Sequence, residues 1–420
     1  MHTAFTPSSA AIVTGLLVAA AVGCGDSKDQ SRFRISLSVS PFSESVVTSL
    51  PLTDGVEMAT HVGDVQRLLN RHGATEVFVR VATLRDARSG DAEYGFARAI
   101  ERATLAKNLD MPLNPELGLW AVYGDIRDQP SPDFSDYPSI QLPAPWSSLS
   151  LGQMESALEH YGALAAQQIL STGVRVNYWD LGNEVEFGVA GVAVKSFGTT
   201  DYTAPDAVDP AIGQMTVTQL LGMPASDRID WLRQHLWPHV GRLLAAAARG
   251  VRSVDAGAKF STHLAGIGVQ DATFPVAFWT AMNDAGYAPD QLGTSLYPTA
   301  GDSGDRRAIL LDVASTLWSL FGKQTFVAEF GYPSGVMAAP YAWNNAQAGY
   351  PQTPDGQFGY LRDLVVMAVD AGTVGGIRPW AADYCIASGG WEPMSFFTAE
   401  GSAKPALDAV EEGLHASPSR

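Results

Sequence analysis

From residue 34 onward, short apolar runs alternate with longer amphipathic stretches. The runs at 34–39, 76–82, 117–123, 174–182, 258–262, 291–296, 324–328 and 374–380 are rich in β-branched and aromatic residues, which predicts buried strands. Between them apolar residues recur at helical spacing, as in Leu158, Tyr161, Leu164, Ala165 and Ile169. This predicts helices over 57–71, 91–108, 151–171, 226–251, 274–285, 306–320, 357–370 and 403–414. Gly73, Gly173 and Gly286 stand where three of them should end. Eight strand–helix units predict an α/β fold, a TIM (β/α)8 barrel spanning 34–416 as a single domain. The long stretches 124–150, 186–225 and 334–354 all follow strands, so they should build the face at the strand C-termini.

Two of these strands end on a carboxylate. One stops abruptly at Gly182-Asn183-Glu184, and another delivers Glu329 before Gly331 and Pro333 break the pattern. A charge at the end of a buried strand fits badly in a core. It fits well at the mouth of a barrel, where catalytic side chains project from strand C-termini. Asn183-Glu184 alone reads as a strand running out into a polar turn; a second glutamate in the same setting overturns that reading. In the barrel count the two end strands four and seven, and a closed ring brings both to one face. Two such carboxyls are the minimum equipment for glycoside hydrolysis. One protonates the leaving oxygen, and the other attacks the anomeric carbon or activates water.

The remaining strand ends add polar and aromatic groups. Arg80, inside the second apolar run, needs a buried anion, either a catalytic carboxylate or a barrel-core salt bridge. Strand three leads into Tyr123-Gly124-Asp125 and on to Pro145-Trp146. Strand five ends at Thr262-His263, strand six at Ser295-Leu296-Tyr297-Pro298, and strand eight at Arg378-Pro379-Trp380. His263 by itself would be a structural histidine, but it shares the rim with Tyr297 and Trp380. A tyrosine can orient a nucleophile by hydrogen bond, and a tryptophan can floor a sugar subsite.

Composition narrows the partners. Apolar residues make up 46% and charged residues 17%, enough for a large core. With 27 basic and 44 acidic residues the net charge is −17, which disfavours nucleic acid and anionic membrane surfaces and suits a neutral polysaccharide or oligosaccharide. Neither a CxxC nor an HExxH occurs, so no metal or other cofactor is expected. The apolar run Ala11 to Val22 is short for a membrane span and suits a signal h-region. It ends at Gly23-Cys24, which resembles a bacterial lipoprotein signal: residues 1–23 would be removed, Cys24 lipidated, and 24–33 left as a polar tether. The expectation is an extracytoplasmic, lipid-anchored protein of the cell envelope, touching membrane only through Cys24; an ordinary secretory signal is the alternative. Cys385 then remains as one thiol, read as a small buried hydrophobe. Nothing in the sequence sets the oligomeric state.

From Arg80 to Trp380 the chain resembles the clan A retaining glycoside hydrolases, and within them family 53, the arabinogalactan endo-β-1,4-galactanases. Gly182-Asn183-Glu184 is similar to the clan's strand-four motif, implying that Glu184 is the acid/base and that Asn183 binds the sugar 2-hydroxyl. Glu329-Phe330-Gly331-Tyr332-Pro333 is similar to the strand-seven motif, implying that Glu329 is the nucleophile with Tyr332 nearby. His263-Leu264-Ala265, Ser295-Leu296-Tyr297-Pro298, Asp125 and Trp146 match further family segments, implying substrate contacts alongside Arg80 and Trp380. The chain departs from the family pattern at Ser38, Phe78, Glu186-Phe187 and Phe330, which bears on the substrate more than on the two-carboxylate mechanism. Another clan A activity (mannanase, glucanase or exo-glycosidase) and a non-catalytic carbohydrate-binding lipoprotein are the alternatives.

Overall fold

Eight parallel strands make one sheet in the computed structural model, which describes residues 33–417 apart from 90–91, 196–207, 267–268, 302–303 and 387–389. The signal-like segment 1–23, Cys24 and the tether up to residue 32 lie outside the described residues. In chain order the strands are β1 (Arg34–Ile35), β2 (Val77–Val81), β3 (Leu113–Leu117), β4 (Trp179–Leu181), β5 (Phe260–Leu264), β6 (Gln291–Leu296), β7 (Gln324–Phe330) and β8 (Val374–Pro379). They pair in the order β1-β8-β7-β6-β5-β4-β3-β2. The two free edges then meet: the Thr75 N–H donates to Ile35 O at 2.9 Å, and Ser38 Oγ accepts from the Phe78 N–H at 2.6 Å. The sheet is therefore rolled into a (β/α)8 barrel, with Ser38 stitching the seam.

Helices α1 (Val62–Arg71), α2 (Phe96–Asn108), α3 (Leu151–Leu170), α4 (Trp237–Val254), α5 (Thr273–Asp284), α6 (Arg306–Phe321), α7 (Pro354–Ala371) and α8 (Ala409–Ala416) follow the strands. Local chemistry sets their ends. Ser150 and Gln153 form a capping box on α3, and Thr353 Oγ1 accepts from the Gly356 N–H at the start of α7. Gly173 and Gly286, just past α3 and α5, take the left-handed conformation (φ 81° and 88°) that a helix stop favours. Helices α3 and α4 pack backbone to backbone. A Cβ on Gly250 would lie 2.0 Å from Glu159 O, so only glycine permits the approach.

Among the elements that differ from the sequence expectation, three are instructive. The third strand is Leu113–Leu117, not 117–123. Its sequence, Leu-Asn-Pro-Glu-Leu, carries a proline and two polar residues because Asn114 and Glu116 are buried within a polar barrel. The helix expected over 226–251 is two helices, Ala225–His235 and α4, parted at Leu236. Pro238 enters α4 within its first turn, where its missing N–H costs nothing, and it cannot continue a preceding helix. Finally, Met58–Ala59 is the second strand of a small hairpin with Leu52–Thr53, not the start of a helix.

The barrel interior is built from ion pairs. Near the bottom Arg34 donates to Glu76, Asn114 and Gln291. Above it Arg378 pairs with Asp180 at 2.5 Å and lies 3.6 Å from the Phe78 ring centroid. Burial pushes the Asp180 carboxyl up, but Arg378 and Arg34 outweigh it and hold Asp180 at about 2. At the top Arg80 donates to Glu116 and Glu329. Buried charges survive only when paired, and here each pair reaches across strands.

Candidate active site

Glu329 sits next to the end of β7, with a register shift between Thr294 and Ser295 of β6 setting Ser295 beside it in the ladder. Such a bulge re-aims side chains at a barrel rim. Both oxygens of Glu329 are engaged: Arg80 Nη2 donates to Oε1 at 2.6 Å and the Tyr297 hydroxyl donates to Oε2 at 2.7 Å. His263 Nε2 lies 4.0 Å from Oε1. Burial pushes the Glu329 carboxyl up, but Arg80, His263 and the two donated hydrogen bonds prevail and hold it below the ordinary range.

Glu184 follows β4 through two left-handed residues, Gly182 (φ 71°) and Glu184 itself (φ 52°). A non-glycine residue held there is strained and marks a position the surrounding structure dictates. Ser295 Oγ donates to Glu184 Oε1 at 2.8 Å, and the Ile126 N–H donates to Oε2 at 3.3 Å. Burial, then the charges of Glu329, Asp125 and Glu186, push the Glu184 carboxyl well above the ordinary range. Two adjacent carboxyls driven in opposite directions are the signature of an acid facing a base. Carboxylate oxygens of Glu184 and Glu329 lie within 4.8 Å of each other and of a His263 nitrogen. Those three side chains could offer ligand atoms to a metal ion. Against that reading, Glu329 already spends both oxygens and Arg80 adds a positive charge beside them.

Ser295 supplies a test. Its hydroxyl favours the ionised form of Glu184, so Ser295→Ala should raise the Glu184 pKa further. With Glu184 as a general acid, the basic limb of a pH–activity profile is then expected to move to higher pH; movement to lower pH would contradict that role.

The pair opens into a cleft of about 680 Å³. Asp125, Tyr297 and Trp380 line it as the sequence led one to expect, and Arg127, Tyr341, Trp343 and Trp391 join them from loops. Tyr297 packs on Trp343 with ring centroids 5.0 Å apart, and Tyr341 on Trp391 at 4.7 Å, so one wall is continuous aromatic surface. Arg80 and His263 lie beneath the cleft, each 1% exposed. Burial, together with nearby Arg80 and Arg378, holds the His263 ring down to about 4 against the pull of Glu329, so it is neutral above that pH and carries charge only in the acid range. Asn183 is buried; its side-chain N–H donates to Gly124 O at 2.7 Å and its Oδ1 finds no hydrogen-bond partner among the described residues.

Two expected site residues stand elsewhere. Trp146 is buried against Phe134, and its indole N–H donates to Ala190 O at 2.7 Å. Tyr332 is buried, stacks on Tyr360 at 4.6 Å and donates to Tyr350 O. An aromatic residue in a loop gives the same sequence signal whether it faces the core or the cleft. Trp146→Ala should therefore cost about 3–5 kcal/mol of stability, read by denaturant unfolding, and leave KM of the folded enzyme unchanged. A raised KM at full stability would put Trp146 back in the site. The loop at 186–225 also differs: its described part buries Val189, Val192, Ile212 and Val217 in the core. Ser295, Glu116 and Glu186 were missed. Glu186 Oε2 accepts from the Ala265 N–H at 3.0 Å, tying the loop after β5 to the end of β4.

The model of glycosyl hydrolase family 53 matches residues 130–410. The family-53 catalytic domain of Ignisphaera aggregans superposes with a TM-score of 0.68 at 18% identity, covering 91% of this chain and 96% of that one. A fungal β-1,4-galactanase superposes with a TM-score of 0.64 at 17% identity, covering 90% and 98%. An endo-1,4-β-xylanase of Penicillium canescens reaches 0.52 at 12% identity, covering 93% and 96%. At these identities the structures share the fold. No curated protein sequence matches. The matched family model, spanning most of the barrel and both strand-terminal glutamates, places this chain in glycosyl hydrolase family 53, among the clan A glycoside hydrolases.

Proposed function

We propose that this protein is a retaining endo-β-1,4-galactanase acting on galactan or arabinogalactan. The observation that carries the mechanism is the approach of Glu184 and Glu329 oxygens to within 4.8 Å. Retaining glycosidases hold their carboxyls ~5–5.5 Å apart, whereas inverting ones leave ~6.5–9.5 Å for a water. Glu329, kept ionised by Arg80, attacks the anomeric carbon while protonated Glu184 gives its proton to the leaving oxygen. Water then attacks the glycosyl ester as Glu184 takes back a proton, and Glu329 leaves as carboxylate. Tyr297 orients Glu329, and the aromatic wall supplies stacking faces for sugar rings on either side of the cut. Asn183 Oδ1 is offered as the acceptor for the sugar 2-hydroxyl. Galactan is the substrate favoured by family membership and by the galactanase among the similar structures.

The test is reducing-sugar release from β-1,4-galactan, mannan, xylan and β-glucan, with NMR of the first-formed product. Release from galactan as the β-anomer is expected. Release from another polymer would overturn the substrate, a first-formed α-anomer would overturn retention, and binding with no release would favour a carbohydrate-binding protein. The Gly23-Cys24 motif further supports export and a lipid anchor on Cys24. Cys24→Ser should then move the protein from the membrane fraction to the soluble one; an unchanged distribution would remove the anchor.

A further inference from the structure

One buried carboxylate next to the site has no part in the scheme above. Arg80 divides its guanidinium: Nη2 donates to Glu329 at 2.6 Å, and Nε donates to Glu116 on β3. Glu116 is fully buried, at 0% exposure. Its second oxygen lies 3.6 Å from Arg378 Nη1 and 3.8 Å from His263 Nδ1, and finds no hydrogen-bond partner among the described residues. Glu116 is thus placed to share Arg80 with the nucleophile, and not to satisfy a second donor of its own.

The charges of the barrel interior give that sharing a purpose. The paired groups are the cations Arg34, Arg80 and Arg378 and the carboxyls Glu76, Glu116, Asp180 and Glu329; burial pushes Glu116 up to about 7 against the pull of Arg80 and Arg378, so above that pH, with Glu116 ionised, there is one anion in excess. Formation of the glycosyl-enzyme makes a bond from a Glu329 oxygen to the anomeric carbon and breaks the bond from that carbon to the leaving oxygen. The leaving oxygen takes the Glu184 proton, and Glu329 becomes an uncharged ester. The excess anion disappears at that step, and Arg80 loses one of its two partners. An unpaired guanidinium in a buried site is costly; with Glu116 in place none arises.

We propose that Glu116 is a positioning residue for the nucleophile: it is the counter-ion that keeps Arg80 paired and in place while Glu329 is esterified, and that moderates the pull of Arg80 on Glu329 before attack. This rests on the retaining mechanism proposed above. The groups facing Glu116 are Arg80 from β2, Asp180 from β4, His263 from β5, and Arg378 from β8, with Glu329 on β7 reached through Arg80. Of these, only Arg80 also bonds the nucleophile. Removing the Glu116 charge leaves Arg80 wholly to Glu329, which becomes a weaker base and a weaker nucleophile.

The experiment compares the full chain with Glu116→Gln and Glu116→Asp, using dinitrophenyl β-galactobioside. Glu329 titrates below the range in which Glu116 ionises, so the readout is the rise in kcat/KM that Glu116 ionisation adds near neutral pH: it is expected in wild type and absent in the Gln variant. Above that rise kcat/KM of the Gln variant is lower by up to about tenfold. The Asp variant, its charge drawn back from Arg80, keeps a smaller rise, so either variant alone carries the test. A merely structural Glu116 would lower yield or kcat and leave the shape of the profile the same in wild type and both variants, and that result overturns the proposal. Trapping wild-type enzyme with a fluorinated galactoside separates the two levels. A glycosyl ester on Glu329 with an unchanged profile removes only the role of Glu116, whereas a wild type that forms no such ester removes the retaining mechanism and this inference with it.

Discussion

Glu329→Ala is expected to lower kcat by about 10⁴-fold or more, since removal of a covalent nucleophile commonly costs that much, and azide should restore turnover of an activated aryl glycoside. The chemistry follows from the site. Truncation opens a space below the anomeric carbon, bordered by Arg80 and the Tyr297 hydroxyl, which previously held the carboxylate. An azide ion there forms the carbon–nitrogen bond as the carbon–oxygen bond to the leaving phenolate breaks. One displacement inverts the centre, so the product should be the α-glycosyl azide. In Glu184→Ala the nucleophile remains, two displacements occur, and azide should give the β-glycosyl azide. The stereochemistry of the two azides thus assigns the two roles independently of any rate. A β-azide from Glu329→Ala, or wild-type-like kcat in that variant, would sink the assignment.

Replacing the same residue by glutamine tests the electrostatics. After burial, the negative charge on Glu329 is the largest influence raising the Glu184 carboxyl. In Glu329→Gln that charge is gone, so Glu184 is expected to titrate lower than in wild type. A carbon-13 titration of labelled glutamate reads this directly.

The glutamates were legible in the sequence because each stands at the end of a run rich in β-branched and aromatic residues, just where a turn begins. The barrel was legible for the same reason: β5, β6, β7 and β8 read as apolar strands. Strand β3 was not. Its inward positions, Asn114 and Glu116, belong to an ion-pair interior, and Pro115 lies between them. A strand whose buried side is polar has no apolar alternation to read. Glu116 acquires meaning only when β2 places Arg80 beside it, and no spacing within one strand records a partner on the next. Ser295 was hidden differently: a serine near a strand end is common, and its value here comes from the register shift that sets it beside Glu329 and within reach of Glu184. The left-handed turn at Glu184 left no trace either, since that conformation is ordinarily left to glycine.

Glu184→Gln should separate substrates by their leaving groups. A positioned general acid contributes roughly 10²–10⁴-fold, so hydrolysis of polysaccharide, whose leaving alkoxide needs a proton, is expected to fall by that factor. Attack on a dinitrophenyl glycoside, whose phenolate leaves unaided, should proceed at near wild-type rate in its first step and then stall, because the base that activates water is missing. The result is a burst of phenolate followed by slow turnover. The pH profile changes with it. The proposed mechanism needs Glu329 ionised and Glu184 protonated; the first carboxyl lies below the ordinary range and the second well above it, which gives a bell. Activity is lost as pH falls through the Glu329 value and as it rises through the Glu184 value. In Glu184→Gln the acid limb of the burst rate should stay and the basic limb should vanish; a surviving basic limb would assign the acid to another group. Stability should move the opposite way. A buried carboxyl whose pKa is raised on folding binds its proton more tightly in the native state, so it costs stability increasingly as pH rises above its unfolded value. Glutamine carries no such penalty and retains an acceptor for the Ser295 hydroxyl. The variant is therefore expected to melt higher than wild type at neutral pH, with the gap closing as pH falls toward the unfolded pKa of about 4.3. An equal gap at both pH values would mean that the gain comes from packing and not from the buried proton.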